Sequence, residues 1–149
     1  MSLCLVANWK LNGSKEFNHQ WALEFLRNFN GNNFSILGIA PASLYIDHLK
    51  TILTDYDIKI GSQNIDLEET GARTGEISAS MINDLGCAFS IIGHSERRML
   101  FHETNQMICH KLIQADNNSV IPILCIGESA KENLSNNTFN VLEQQIIEA

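Results

Sequence analysis

Short apolar runs alternate along this chain with longer stretches in which apolar residues recur three and four apart. The runs are Leu3–Ala7, Ser35–Ala40, Ile58–Gln63, Ala88–Gly93 and Val120–Ile126. They are short, rich in Ile, Val and Leu and bounded by polar or turn residues, which predicts five strands. After the first run, Phe17, Trp21, Phe25 and Phe29 recur four apart, with Leu26 on the same face. Ser14 precedes them as an N-cap, so a helix is expected there, ended by Asn30-Gly31-Asn32-Asn33. Pro41 stops the second strand, and Ser43 is expected to cap a helix whose apolar face is Leu44, Ile46, Leu49, Ile52 and Leu53. A long polar loop runs from Asn64 to Glu76. Ser78 opens a short helix that Gly86 ends. A helix or helix pair is expected from Ser95 to about Gln114, and a last helix from Thr138, with Phe139, Leu142 and Ile146 on one face.

Strands that alternate with helices in this way form repeated βα units and a parallel sheet. The polar residues collect just after the strands: Asn8 and Lys10, Gln63 and Asn64, His94 and Glu96, Glu128. Both closed α/β barrels and open doubly wound sheets carry their sites at that end of the strands. The pattern therefore predicts a site without choosing between the two. No G-x-G-x-x-G follows the first strand, so a dinucleotide-binding fold has no support.

The most informative stretch is Ser90-Ile91-Ile92-Gly93-His94-Ser95-Glu96-Arg97-Arg98. It reads as a strand, a glycine turn and a helix start, with Ser95 expected as the N-cap and Glu96 in the first turn. His94 is thereby held at a strand end against a helix N-terminus. A neutral imidazole there can donate an N–H to a carbonyl oxygen and polarise it. Lys10 can hold an anionic substrate or steady a developing oxyanion; the plain alternative is a solvated loop lysine. Asn8 can hydrogen-bond a substrate oxygen or simply serve a turn. Glu96 is open to three roles: catalytic carboxylate, salt-bridge partner of an arginine, or helix N-terminal charge.

Composition narrows the classes. The 149 residues are 44% hydrophobic and 18% charged with net charge −7, which is ordinary for a globular domain. One domain over 1–149 is expected. The acidic balance and the lack of a Lys/Arg block argue against nucleic acid as a partner. No run approaches the ~18 apolar residues of a membrane span. Cys4, Cys87, Cys109 and Cys125 form no CxxC pair, and no His/Cys cluster has metal spacing. Cys4 and Cys125 lie in apolar runs and are expected to be buried thiols. The opening Met1–Ala7 lacks the basic start of a secretion leader, so a cytoplasmic location is expected.

Four stretches resemble the triosephosphate isomerase family. Ala7-Asn8-Trp9-Lys10-Leu11-Asn12-Gly13 is similar to its first-strand loop, and Gly71-Ala72-Arg73-Thr74-Gly75-Glu76-Ile77-Ser78 to its dimer-forming third loop. Ile92–Arg98, followed by Glu103, resembles its fourth-strand motif, and Leu124-Cys125-Ile126-Gly127-Glu128 its fifth strand and loop. They occur in the family's order. The resemblance implies a (β/α)8 barrel that interconverts dihydroxyacetone phosphate and glyceraldehyde 3-phosphate through an enediol(ate), without a cofactor. Within it, Lys10 would bind substrate electrostatically, Asn8 would assist, and His94 would be the electrophile that shuttles protons. Glu96 matches a carboxylate beside the site, and Cys125 a buried cysteine that supports it. The third loop, Asn64 to Glu76, would enter a partner subunit, so that Thr74 braces Asn8, Lys10 or His94 across a homodimer.

Three departures accompany the match. Arg73 stands where an aromatic is common, and Asn133–Asn137 replaces a Gly-containing turn. A full barrel needs about 250 residues. The resemblance therefore covers only the first five βα units, without the family's sixth-strand glutamate, lid and phosphate loops. The expectation is an incomplete barrel whose parent is the isomerase and which alone is inactive, prone to associate, or in need of a completing partner. The competing reading is a non-catalytic half-barrel that assembles or binds a phosphorylated ligand in its own right.

Overall fold

The computed structural model describes residues 3–29 and 34–149. Five strands form one parallel sheet: β1 (Leu3–Asn8), β2 (Phe34–Ala40), β3 (Lys59–Ser62), β4 (Phe89–Ile92) and β5 (Ile121–Leu124). Their spatial order is β1-β2-β3-β4-β5, identical to their order in the chain. A doubly wound sheet reverses its strand order at a switch point. Here each strand pairs with the next, as in a barrel wall, and this decides between the two architectures that the alternation pattern allows. The chain is a partial (β/α)8 barrel. Strands 3 and 5 are shorter than their apolar runs, because pairing stops before Gln63 and after Leu124.

Helices α1 (Lys15–Asn28), α2 (Ile46–Ile52), α3 (Ala79–Asp84), α4 (Ser95–Leu100), α5 (Asn105–Asn117), α6 (Ala130–Leu134) and α7 (Thr138–Ile147) fill the connections. Their starts are mostly written in local chemistry. Ser14 Oγ accepts from Phe17 N at 3.1 Å, Ser78 caps α3, Thr104 caps α5, and Ser129 and Glu132 form a capping box at α6. Two expected caps differ. Ser43 caps nothing: a 3₁₀ turn over Ser43–Tyr45 leads into α2 with no side-chain bond to its start. The cap of α4 is His94 rather than Ser95, which is the helix's first residue. The stop expected at Asn30–Asn33 lies outside the described residues.

Two apolar clusters lie on the two faces of the sheet. The larger packs Ile39, Ile60 and Ile92 against helix residues Ala22, Leu49, Ile82 and Ile108. The smaller, on the inner face, joins Ala40, Phe89 and Ile91 with Val6, Ile123 and Cys125. Phe89 fills space across β3, where a Cβ on Gly61 would come within 2.4 Å of its ring. On the helix-covered face, Ser62 Oγ donates to Ser90 Oγ at 2.8 Å, so both buried hydroxyls are satisfied.

Cys4 is exposed, contrary to expectation, and Leu3 and Leu5 beside it are about half exposed. β1 is an end strand of the described sheet, so no neighbour covers its outer edge. Cys125 is half-buried rather than buried, near the other end strand. Pro122 sits in β5, where the missing N–H breaks no ladder on the side away from β4.

Candidate functional site

The site is built where β1, β3 and β4 end. Trp9 follows β1 and begins an aromatic ladder: it meets Trp21 edge-on at 4.8 Å, Trp21 stacks on Phe25 at 5.0 Å, and Phe25 on Phe29 at 5.2 Å. The four-residue spacing that formed α1 thus also anchors the loop after β1. Lys10, next in the chain, has φ 54°, a left-handed conformation uncommon for a residue with a Cβ. Asn8 Oδ1 accepts from Lys10 N at 2.9 Å. Lys10 Nζ then lies 2.6 Å from Glu96 Oε1, across 86 residues of sequence.

Gly93 makes the sharp turn between β4 and α4 at φ 73°, and a side chain there would press on Ile108, Arg98 and the Cys125 carbonyl. The turn brings His94 to the cap position. Its Nδ1 accepts from Glu96 N at 3.2 Å. Glu96 Oε2 also stands 3.6 Å from Nδ1, an ion pair only if that nitrogen carries a proton. The two contacts are incompatible at one atom, and the shorter, directed amide bond defines the arrangement. An accepting Nδ1 leaves the ring proton on Nε2, the nitrogen free to face a ligand. The hydrogen bond from Lys10 holds the Glu96 carboxyl below the usual carboxylate range, so Glu96 is the anion of this trio.

Asn8, Lys10, Gln63, Asn64, His94 and Glu96 line one cavity of about 430 Å³. Four of the residues singled out from the sequence, Asn8, Lys10, His94 and Glu96, are therefore brought together. Two are not. Thr74 is exposed on the loop after β3, away from this cavity. Cys125 contributes backbone: its N–H donates to Ile92 O at 2.8 Å, and its carbonyl accepts from Arg98 Nη2 at 3.3 Å. Burial pushes its thiol pKa up, partly offset by the Arg98 charge. A thiol so placed is a packing group rather than a nucleophile.

Sequence reading passed over the residues that hold this rim. Arg98 donates through Nε to Gly93 O at 2.8 Å, through Nη1 to Asn105 Oδ1 at 2.6 Å and through Nη2 to Cys125 O, fastening the ends of β4 and β5 together. Glu103 Oε1 bridges Arg97 Nε at 2.6 Å and Lys111 Nζ, and Lys111 donates onward to Asn64 Oδ1 at 2.7 Å. Glu103 and Lys111 side chains are 2% and 4% exposed. Burial pulls the Lys111 pKa down, and Glu103 works against that. The only signal for these roles was the Arg97-Arg98 pair followed by Glu103. Among the described residues no group of His, Cys, Asp or Glu could hold a metal ion, and no helix is long and apolar enough to cross a membrane.

The family model described as triosephosphate isomerase matches residues 3–149, the whole described span. The chain belongs to the triosephosphate isomerase family. The triosephosphate isomerase of Baumannia cicadellinicola subsp. Homalodisca coagulata is 42% identical over 144 residues, covering 95% of this chain and 56% of that protein. That of Histophilus somni (strain 129Pt) is 40% identical over 142 residues, with 95% and 56% covered. That of Blochmanniella floridana is 42% identical over 149 residues, with 97% and 57% covered. The chain thus spans just over half the length of these triosephosphate isomerases, which agrees with five βα units of an eight-unit barrel.

Proposed function

We propose that these residues are the electrophilic part of a triosephosphate isomerase site, in a whole protein that interconverts dihydroxyacetone phosphate and D-glyceraldehyde 3-phosphate. The observation that carries this reading is the meeting of Lys10, His94 and Glu96 on one cavity at the strand ends. The Lys10 ammonium draws in the phosphorylated triose and favours negative charge on its oxygens. On substrate entry the lysine exchanges part of its contact with Glu96 for the substrate. His94 Nε2–H faces the carbonyl and hydroxyl oxygens, donates to one and accepts from the other as the enediol(ate) forms and collapses. Asn8 holds the backbone of Lys10 and offers its amide N–H to a substrate oxygen.

Abstraction of the carbon-bound proton needs a free carboxylate. Glu96 is bound to Lys10 at 2.6 Å and accordingly serves as a charge partner here rather than as that base. Residues 1–149 by themselves are therefore expected to be inactive. The same reading includes a cytoplasmic homodimer in which the loop Asn64–Glu76 enters the partner and Thr74 supports the partner's site. The resemblance and the exposure of residues 68–76 of this loop support that assembly.

The test is a coupled isomerase assay on the whole protein that carries these residues, with and without Lys10→Met. We expect kcat/KM to fall about 100-fold or more, the scale of removing one group that stabilises developing charge. Wild-type kcat/KM in the variant would remove Lys10 from the site, and no isomerase activity in the unmodified protein would overturn the function.

A further inference from the structure

We infer that Arg73 is a latch: its guanidinium, clamped to the buried carboxylate of Asp66, prefolds the loop Asn64–Glu76 so that Thr74 is presented in a fixed turn to a second copy of this chain. The inference rests on the reading of that loop as the element that enters a partner subunit. From Glu68 to Glu76 every residue is exposed, and none carries an apolar side chain larger than that of Ala72. A Cβ added to Gly71 or Gly75 would meet nothing, so the outer part of the loop stands clear of the rest of the chain. Burial therefore cannot shape it. Charge opposes a closed shape as well, because Asp66, Glu68, Glu69 and Glu76 line one hollow of about 80 Å³ with a single cation, Arg73.

Arg73 answers both problems with one side chain. Its Nε donates to Asp66 Oδ1 at 2.6 Å and its Nη2 to Asp66 Oδ2 at 2.8 Å, a two-pronged pair. The Asp66 side chain is 6% exposed and that of Arg73 40%, so the anchor lies in the stem of the loop. Asp66 is fixed on its own account: its N–H donates to Ile77 O at 2.8 Å, and its Oδ1 accepts from Glu68 N at 2.8 Å. The Arg73 backbone then makes the turn that carries Thr74. Its C=O accepts from Glu76 N at 3.1 Å, and Gly75 takes φ 94° inside that turn. Without the pair, four carboxylates lie together uncompensated, and the loop has to be ordered during association, which weakens association. A guanidinium engaged twice within its own subunit acts on the partner only through the shape it gives the loop.

The experiment measures the dimer dissociation constant of the whole protein, by dilution of labelled subunits, for the parent, Arg73→Met, Asp66→Asn and the double variant. A latch predicts that each single change raises Kd about tenfold or more, and that the double variant lies within about threefold of the weaker single one, because either change alone opens the loop. A Kd raised by Arg73→Met but not by Asp66→Asn means that Arg73 contacts the partner directly and overturns the inference. So does an unchanged Kd in both, and so do two losses that multiply in the double variant. A parent that stays monomeric at every concentration defeats the homodimer reading. Amide exchange over residues 68–76 of that monomer then decides the latch: exchange about tenfold faster in both single variants supports it, and equal exchange overturns it. Should Asp66→Asn fail to fold, Asp66→Ser, which can still accept from Glu68 N, is read in the same ways.

Discussion

Replacing Gly61 with Ala tests how the inner face of the sheet is packed beneath the site. A Cβ built on Gly61 falls 2.4 Å from Phe89 Cδ2 and Cε2 and 2.6 Å from Cζ, three atoms of one ring. Ordinary carbon–carbon contact begins near 3.5 Å, so the ring must retreat by about 1 Å. Phe89 is 3% exposed and belongs to the inner cluster with Ala40 and Ile91, so it has nowhere open to go. Forcing a methyl into such a core costs about 1–3 kcal/mol, and this site belongs at the upper end because the obstacle is a rigid ring rather than a flexible chain tip. For a protein of about 250 residues, 2–3 kcal/mol lowers Tm by roughly 4–12 °C. Urea unfolding of Gly61→Ala, Phe89→Leu and the pair measures it directly. Shortening the ring removes the clash, so the double variant should be more stable than the sum of the two single losses by about 1–2 kcal/mol. A Gly61→Ala protein within 0.5 kcal/mol of the parent would refute the packing, as would simple additivity.

Three further outcomes follow from the same geometry. His94→Gln keeps a hydrogen-bonding side chain but cannot pass protons as imidazole does, so the protein should fold while isomerase kcat drops about 10²–10⁴-fold; an unchanged rate in the coupled assay removes His94 from the chemistry. Lys111→Met leaves Glu103 buried with one cation instead of two and should cost about 3–5 kcal/mol in chemical denaturation; a loss below 1 kcal/mol would mean that Arg97 alone satisfies the carboxylate. For Asp66, burial raises the pKa, but the Arg73 pair at 2.6 Å and the Glu68 amide outweigh it, and the folded value lies below the ordinary 3.8. The unfolded chain then binds more protons than the folded one as pH falls through this range, so the pair's contribution is complete well above pH 3.8 and is lost below it. The difference in unfolding free energy between the parent and Arg73→Ala, measured in urea, should therefore be flat from pH 7 to about pH 5 and should shrink as pH falls below 3.8; a difference that stays constant there would refute the pair's contribution.

Much of this was open to reading in one dimension. Alternating apolar runs and helical spacing predicted five βα units, because a strand buried on both faces and an amphipathic helix leave different periods in the chain. Ser14 and Ser78 marked helix starts because capping is local chemistry, whereas Ser129, read as loop, proves to open α6. The glycine and histidine after β4 marked a site because a strand end next to a helix start is a local event too. Where local logic was pressed further it failed: Ser95 has the composition of a cap, yet the turn at Gly93 places His94 there instead. Cys4 sits in an apolar run, yet it is exposed, because burial depends on which neighbours a strand finds.

The amino-acid order by itself therefore determined the elements, their alternation and the residue types gathered after the strands. Only the tertiary structure decided that the strands pair in sequential order, which makes a barrel wall of them. It alone set Lys10 against Glu96 across 86 residues, turned Lys10 to positive φ, and gave Gln63 and Arg98 their partners. These contacts join residues far apart in the chain, and their cost and gain appear only once the intervening strands have closed the distance.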